Sequence, residues 1–273
     1  MTDTPRISIP GPTGSTRLFV HVGHPIAQVQ APQRMNALFA DQGVDAVMVA
    51  LDVAPEDLGA TLEGLQRIAN LDGILVTVPH KFAACAHAGR HAPAVQLSGA
   101  ANALRRAADG AWEAKNFDGA GFVVGLRAAG RPPHGRHALL VGAGGAGVAI
   151  AASLVLEGVQ SLSVHDLNGE RARALVARLN GHRPGVARTA TEADFGAADL
   201  VVQATPLGMA PDDPLPLPVE ALAPHALVAD IVMKPARTRL LEAAAARGLA
   251  THEGRHMLEP QIQMYADFFL GLQ

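Results

Sequence analysis

Apolar and polar positions alternate between two periods along this chain. Leu18 to Val22 reads as a strand, and Gln33 to Gln42 as a helix that ends at Gly43. Ala46 to Leu51 is a second strand. Ala54 to Ile68 is a helix that Pro55 can start, and Gly73 to Val78 is a buried strand stopped by Pro79. Strand and helix in strict turn predict a parallel sheet. Ala107 to Trp112 reads as a hairpin turn around Asp109-Gly110, after which the chain turns at Asn116-Phe117-Asp118-Gly119 and enters a helix from Gly121 to Ala129. Ala138 to Val141 opens a second alternating series, with strands near Ser161 to Asp166, Leu200 to Ala204 and Leu227 to Val232. The last helix, Met257 to Leu270, follows once that series is complete. The expected organisation is α/β: a first domain over 1–117, a second over 118–252, and a C-terminal helix over 253–273 that returns to the first.

Composition narrows the class. Of 273 residues 49% are hydrophobic but only 4% aromatic, so Ala, Val and Leu must fill the core. The net charge is -3 and no basic stripe appears, which argues against a nucleic-acid partner. Cys85 is the single cysteine, so no internal disulfide can form and a reducing compartment fits. The segment Met1 to Pro12 is polar and proline-rich with no apolar signal core, and no apolar run reaches the ~20 residues of a membrane helix. The expectation is a cytoplasmic protein with no membrane partner.

The strand Ala138-Leu139-Leu140-Val141 runs into Gly142-Ala143-Gly144-Gly145-Ala146-Gly147, and a helix follows from Val148 to Glu157. A dinucleotide phosphate loop needs this order. The first glycine makes the tight turn, the second lets the backbone approach the pyrophosphate, and the third packs helix on strand. The helix N-terminus then offers N–H groups to the phosphates. The next strand ends at Asp166, about 20 residues beyond the loop, where a carboxylate binds ribose hydroxyls and repels a 2′-phosphate. Leu167 offers that phosphate nothing, and Arg171 is the only nearby rescue. The reading is NAD, with NADP second. An ordinary strand–turn–helix corner with Asp166 as a helix cap would share the pattern.

Three polar clusters mark the first domain: Val76-Thr77-Val78-Pro79-His80-Lys81, Gly99-Ala100-Ala101-Asn102, and Asn116-Phe117-Asp118-Gly119-Ala120-Gly121. Ligands bind open parallel sheets at the carboxyl ends of the strands, where Thr77 and Lys81 fall. Hydride transfer at a C–OH carbon needs a proton to leave or join the oxygen, and a lysine beside a carboxylate can relay it. Lys81 and Asp118 are the candidate pair. Singly, each has a bland reading, as a solvated lysine and a turn aspartate.

Taken together, and with Gly23-His24-Pro25-Ile26-Ala27, Pro32, Asn36, Ala204-Thr205-Pro206-Leu207-Gly208-Met209, Asp230-Ile231-Val232-Met233-Lys234-Pro235 and Gly254-Arg255-His256-Met257-Leu258-Glu259-Pro260-Gln261, these pieces resemble the shikimate/quinate dehydrogenase family across nearly the whole chain. The resemblance implies a substrate-binding domain and a Rossmann domain for NAD inserted before the returning helix. It implies that Lys81 and Asp118 are catalytic and that Thr77, Asn102 and Gln261 contact ring hydroxyls. It also implies that the loop at Thr205 to Met209 and the segment near Val232 flank the nicotinamide, with Thr205, Pro206, Val232 and Gly254 binding the cofactor, and that the substrate is a shikimate/quinate-like ring alcohol.

Departures accompany it. Val29 and Ala31 stand where the family carries two serines for the substrate carboxylate, leaving Gln28, Gln30 and Arg34 as candidates for that anion. Met233 replaces a hydroxylated aromatic, Met35 a histidine and Gln203 an asparagine, and Asp166-Leu167-Asn168 replaces the Asn-Arg-Thr of NADP-using members. The other readings are a non-catalytic NAD- or metabolite-binding paralogue, or a dehydrogenase of a different polyol. His80, His87 and His91 lack metal-site spacing, so no metal is expected. Cys85 reads as a buried small residue, and the acidic loop Pro211-Asp212-Asp213-Pro214 as exposed. The chain is expected to be a monomer or homodimer with a small-molecule substrate.

Overall fold

A computed structural model describes residues 11–272; the first ten residues of the polar N-terminal segment lie outside the described residues. The chain divides into two compact units. The first runs to His91, resumes over Ala101–Lys115 and takes the chain from Ile262 on; the second holds Ala92–Ala100 and Asn116–Gln261. The division falls at 115/116 rather than at the 117/118 expected from sequence, and it differs in two further places. Ala92–Ala100 belongs with the second unit, and the last helix is shared between the two.

The chain begins with β1 (Arg17–Gly23), α1 (Ala31–Asp41), β2 (Ala46–Asp52), α2 (Leu58–Leu65), β3 (Leu71–Val76) and β4 (Arg90–His91). Then come α3 (Pro93–Ser98), in the second unit, and β5 (Ala103–Arg106) and β6 (Trp112–Lys115) in the first. The first sheet has the order β2-β1-β3-β5-β6-β4. β1 is parallel to β2 and β3, whereas β5 and β6 form an antiparallel hairpin on β3. α1 starts with Pro32 in its first turn and buries Met35 and Phe39, one turn apart, against the sheet. Asn36 on the same helix bonds both the amide and the carbonyl of Met48, at 2.7 and 2.9 Å, fixing α1 to β2.

The second unit continues with α4 (Phe117–Ala128), β7 (His137–Val141), α5 (Gly145–Leu156), β8 (Ser161–His165), α6 (Gly169–His182), β9 (Ala187–Thr189) and α7 (Glu192–Ala197). It closes with β10 (Leu200–Gln203), β11 (Leu227–Asp230), α8 (Arg239–Ala246), β12 (Ala250–His252) and the start of α9 (Arg255–Leu270). The sheet is wholly parallel in the order β12-β11-β10-β7-β8-β9. Its strands are apolar on both faces, as helices on both sides require. Leu140, Val164, Leu200 and Val202 join one core, and Leu139, Val141, Val201 and Val228 the other. The connection reverses direction at β7, which lies between β8 and β10, so the crevice above β7 and β10 is the switch point where such sheets bind ligands.

The turn expected at Asn116–Gly119 is a helix start instead. Asn116 is the N-cap of α4, its side chain accepting from the Asp118 amide at 3.0 Å, and Asp118 lies in the first turn. The strands β4, β9 and β12 and the helices α3 and α7 are too short for periodicity to show them.

Buried Asp194 on α7 knits this sheet edge. It accepts from Ser163 Oγ at 2.8 Å, from the Thr191 amide and hydroxyl at 2.7 and 2.9 Å, and from Arg188. Burial alone would raise its carboxyl, but the Arg188, Thr191 and Ser163 bonds outweigh that and hold it well below the usual range. Asp194→Ala is expected to lower the unfolding free energy by about 2 to 3 kcal/mol, since it orphans several donors at once. Urea unfolding would read this; a change under about 1 kcal/mol would contradict it.

Candidate active site

In the first unit the backbone gathers Thr77, Lys81 and Asn102 at one end of the two central strands of the sheet, β3 and β5. Thr77 directly follows β3 and its amide donates to Val22 O at 2.9 Å. The Ala101 amide donates to Lys81 O at 2.8 Å, the Val76 amide to Asn102 O at 2.8 Å, and the Asn102 amide to Lys115 O at 3.1 Å. These bonds tie the Lys81 loop, the end of β3 and the start of β5 into one neighbourhood, at the carboxyl end of β3. The His24–Pro25 and Val78–Pro79 peptides beside it are cis. His80 is buried and pairs with Val53 O at 2.8 Å, and His91 Nε2 lies 2.9 Å from Cys85 O, so both have structural partners.

Two residues that sequence reading passed over lie here. The Tyr265 hydroxyl accepts a 3.0 Å hydrogen bond from Asn102 Nδ2. His21, in β1, is buried, and its Nδ1 has no hydrogen-bond partner among the described residues. Burial, reinforced by the charge of Lys81, pushes the His21 pKa down to about 4. Tyr265 is the only tyrosine of the chain and lies one turn after Gln261, which was the available signal. His21 sits in an apolar strand pattern and gave none.

The alternative anion-binding candidates are engaged locally. Gln28 Nε2 donates to Pro25 O at 2.8 Å, and exposed Arg34 donates to Gln30 Oε1 at 3.1 Å. Met35 is core, and Ala31 is buried at the start of α1.

In the second unit Asp118 and Gln261 are both buried, on α4 and on the first part of α9. The two helices approach closely at Gly121, where a Cβ would lie 2.5 Å from Met257 O and 2.8 Å from Gln261 Cγ. α9 therefore carries Gln261 against the same helix that carries Asp118.

The glycine loop has the shape a pyrophosphate needs. Gly142 adopts φ +105, and a Cβ there would lie 2.8 Å from the Ala204 carbonyl. A Cβ on Gly147 would collide with Gly142 O, so only glycine lets α5 pack on the end of β7. A Cβ on Gly144 would meet nothing, which leaves open space before the N-terminus of α5, bordered by Gly145 and Ala146. Asp166 is not the cap of α6; Asn168 is, accepting from Glu170 and Arg171 amides. The Asp166 carboxylate accepts instead from the Ala143 amide at 2.7 Å and the Asn168 amide at 2.8 Å. Leu167 is 95% exposed. A cleft of about 200 Å³ at the ends of β8 and β9 is lined by His165, Asp166, Gly169, Arg173, Thr189 and Ala190, so the arginine that shares the cleft with Asp166 is Arg173 rather than Arg171.

Gln203, fully buried, shapes the neighbouring loop. Its amide donates to Thr205 O and Leu207 O at 3.1 and 2.8 Å and accepts from the Thr205 amide at 2.5 Å, with Pro206 between them. Asp230 holds the next segment, accepting from the Val232 amide at 2.9 Å and Thr238 Oγ1 at 2.6 Å; burial raises its carboxyl against those two bonds. Gly254 abuts this segment, since a Cβ there would lie 2.6 Å from Val232 O.

His252, in β12, is a further buried imidazole. Burial, with the nearby charges of His256 and Arg131, pushes its pKa down to about 4, against the opposing pull of Glu253. A histidine whose folded pKa lies below its unfolded value of about 6.5 stabilises the fold above that value and loses the contribution as pH falls. His21 and His252 should together erode stability between pH 6.5 and 4, by up to about 3 kcal/mol each. Asp194 adds a loss that begins near pH 4. Urea midpoints measured from pH 7.5 to 4 should fall through that window; a flat profile down to pH 4 would refute the assignment.

Among the described residues no helix is long and apolar enough to cross a membrane. The family described as the shikimate dehydrogenase substrate binding domain matches residues 21–104. A relative named shikimate dehydrogenase (NADP(+)), from Rubrobacter xylanophilus, is 41% identical over 92% of this chain and 90% of its own length. The shikimate 5-dehydrogenase of Listeria monocytogenes, solved with shikimate and NAD, superposes with a TM-score of 0.88 at 28% identity, covering 96% of this chain and 94% of that one. The quinate dehydrogenase of Corynebacterium glutamicum, solved with NAD, gives a TM-score of 0.83 at 30% identity, covering 94% of each chain. With a parallel nucleotide-binding sheet in one unit and Thr77, Lys81 and Asn102 gathered in the other, the chain belongs to the shikimate dehydrogenase family.

Proposed function

We propose that this protein transfers a hydride between NAD and a ring C–OH of a shikimate- or quinate-like hydroxylated cyclohexane or cyclohexene. The observation that carries the reading is in the middle of the first sheet, where Lys81 and Asn102 are bound into one backbone neighbourhood at the end of β3. Family membership supports the reaction class.

The roles follow from side-chain chemistry. When bound, the nicotinamide supplies the hydride acceptor or donor. Lys81 takes the hydroxyl proton in the oxidative direction and returns it in the reductive one, with Asp118 orienting the amine and balancing its charge. Thr77, Asn102 and Gln261 hold neighbouring ring hydroxyls. Gly142 to Gly147 cradle the pyrophosphate, and Asp166 takes the ribose hydroxyls. Thr205, Pro206, Val232 and Gly254 border the nicotinamide. Relatives are named for NADP(+), so the choice of NAD here rests on Asp166 and Leu167.

The purified protein would be assayed with NAD and with NADP against shikimate, quinate and related cyclitols, with Lys81→Ala as control. The expected result is NAD-linked turnover that the variant lacks. Tight NAD binding without turnover of any ring alcohol would exclude a dehydrogenase and leave a binding protein.

A further inference from the structure

A cleft of about 560 Å³ opens at the end of the first sheet opposite to Thr77 and Lys81. β1 begins there at Arg17, and β5, antiparallel to β3, ends there with Arg105 and Arg106. Asn102 lies beyond the other end of β5, about 10 Å away along the strand. The cleft is built wholly from the first unit, the end of α9 included, and its volume suits a small molecule. Its charged lining is Arg17, Arg90, Arg105, Arg106, Asp109 and Glu113.

Ring faces and carbonyls hold much of this lining, and they fix a guanidinium without neutralising it. Arg106 donates to the carbonyls of Leu71, Gln66 and Ile68 at 3.2, 2.9 and 2.8 Å, and lies 5.0 Å from the centre of the Trp112 ring. Its hydrogen bonds among the described residues all go to carbonyls. Arg105 lies 4.5 Å from the centre of the Phe268 ring and donates to Phe268 O at 2.7 Å and to Glu113 at 2.6 Å. Its buried Nε has no hydrogen-bond partner among the described residues. Arg17 donates to Phe269 O at 3.2 Å and to Asp72, outside the lining, at 2.5 Å. Arg90 pairs with Asp109 and, at 3.4 Å, with Glu113. Asp72 included, four guanidiniums meet three carboxylates, and donors outnumber acceptors.

We propose that this cleft binds a phosphate group, as the free ion or as the monoester of a small molecule. A carboxylate offers two oxygens in one plane, enough for a single guanidinium fork. A tetrahedral phosphate presents three acceptor oxygens and up to two charges, and can take forks from β1, β4 and β5 at once. No residue of the cleft belongs to the candidate active site, so its ligand does not compete with the ring alcohol.

Titration calorimetry on the full-length protein tests it, at about 0.15 M ionic strength so that loose surface attraction is screened. The probes are inorganic phosphate, ribose 5-phosphate and acetate. The expected result is a Kd at or below about 1 mM for at least one phosphate probe, with acetate at least about tenfold weaker. Tighter binding of ribose 5-phosphate identifies a monoester site, and equal affinities a site for the free ion. Arg106→Gln should weaken phosphate about tenfold, the scale of a lost charge-assisted hydrogen bond. Asp109→Asn removes a like charge from the rim and should tighten it about two- to threefold. Thermal midpoints without ligand check that each variant is folded. A folded Arg106→Gln with the wild-type Kd puts the phosphate elsewhere, the glycine loop included, and overturns the proposal. So does acetate bound as tightly as phosphate, or a Kd above about 1 mM for both phosphate probes. If Arg106→Gln does not fold, Asp109→Asn decides: a tighter Kd supports the site, and an unchanged or weaker one overturns it.

Discussion

Lys81→Ala is expected to lower kcat by about 10³-fold, in the middle of the range typical of a positioned general acid or base. The proton on the reacting oxygen must move as the hydride does, and Lys81 is the group we assign to it. Water can substitute only poorly, because it lacks a fixed position and a matched basicity. The nucleotide loop is built wholly from residues of the second unit, Gly142 to Gly147 and Asp166, so NAD affinity should stay within about twofold. Stopped-flow or steady-state rates together with NAD titration would separate the two effects. A kcat within tenfold of wild type would remove Lys81 from the chemistry. A parallel loss of NAD affinity would instead point to a general disturbance of the fold.

The second large effect concerns the cofactor. NAD is expected to exceed NADP by about 100-fold in kcat/KM. The Asp166 carboxylate accepts from two backbone amides, Ala143 and Asn168, so it cannot swing aside to admit a second anion. A 2′-phosphate placed against it meets charge repulsion of a few kcal/mol at an effective dielectric near 20, and about 1.4 kcal/mol corresponds to each tenfold. Exposed Leu167 offers that phosphate no donor. Arg173, lining the same cleft, is the one cation placed to offset the repulsion among its lining residues. Asp166→Asn should therefore narrow the preference to about tenfold or less, chiefly by letting NADP in. A wild type that reacts faster with NADP would show that Arg173 outweighs Asp166.

Both expectations come from residues legible in the sequence, and the reason is local. A dinucleotide loop is a run of neighbours whose backbone geometry excludes side chains: Gly147 is required because a Cβ would strike Gly142 O, five residues away. The alternation of strands and helices is likewise a short-range pattern, and it predicted β1, β2, β3, β7, β8, β10 and β11 to within two residues. Lys81 and Asn102 were legible as short polar clusters beside such strands. Where local rules compete, the sequence misled. Asn116-Phe117-Asp118-Gly119 has the composition of a turn, yet Asn116 caps a helix and Asp118 stands inside it.

Distance along the chain is what put the rest out of reach. Tyr265 and Asn102 are separated by 163 residues, and only the rotation of α9, set by Phe268 and Phe269 on the sheet, brings them together. His21 reads as one more position in an apolar strand. Its burial and the charge of Lys81 come from segments that meet only in the folded unit. The allocation of Ala92–Ala100 to the second unit is of the same kind, since α3 carries no sign of which core its Val95 and Leu97 will join. The sequence by itself determined the α/β class, the nucleotide loop and the candidate acid and base, because each depends on neighbours within a turn or a strand. The tertiary structure alone decided that Tyr265 meets Asn102, which arginine shares the cleft with Asp166 and which imidazoles are held neutral. Those depend on side chains converging from remote segments, and on the low dielectric that their burial creates.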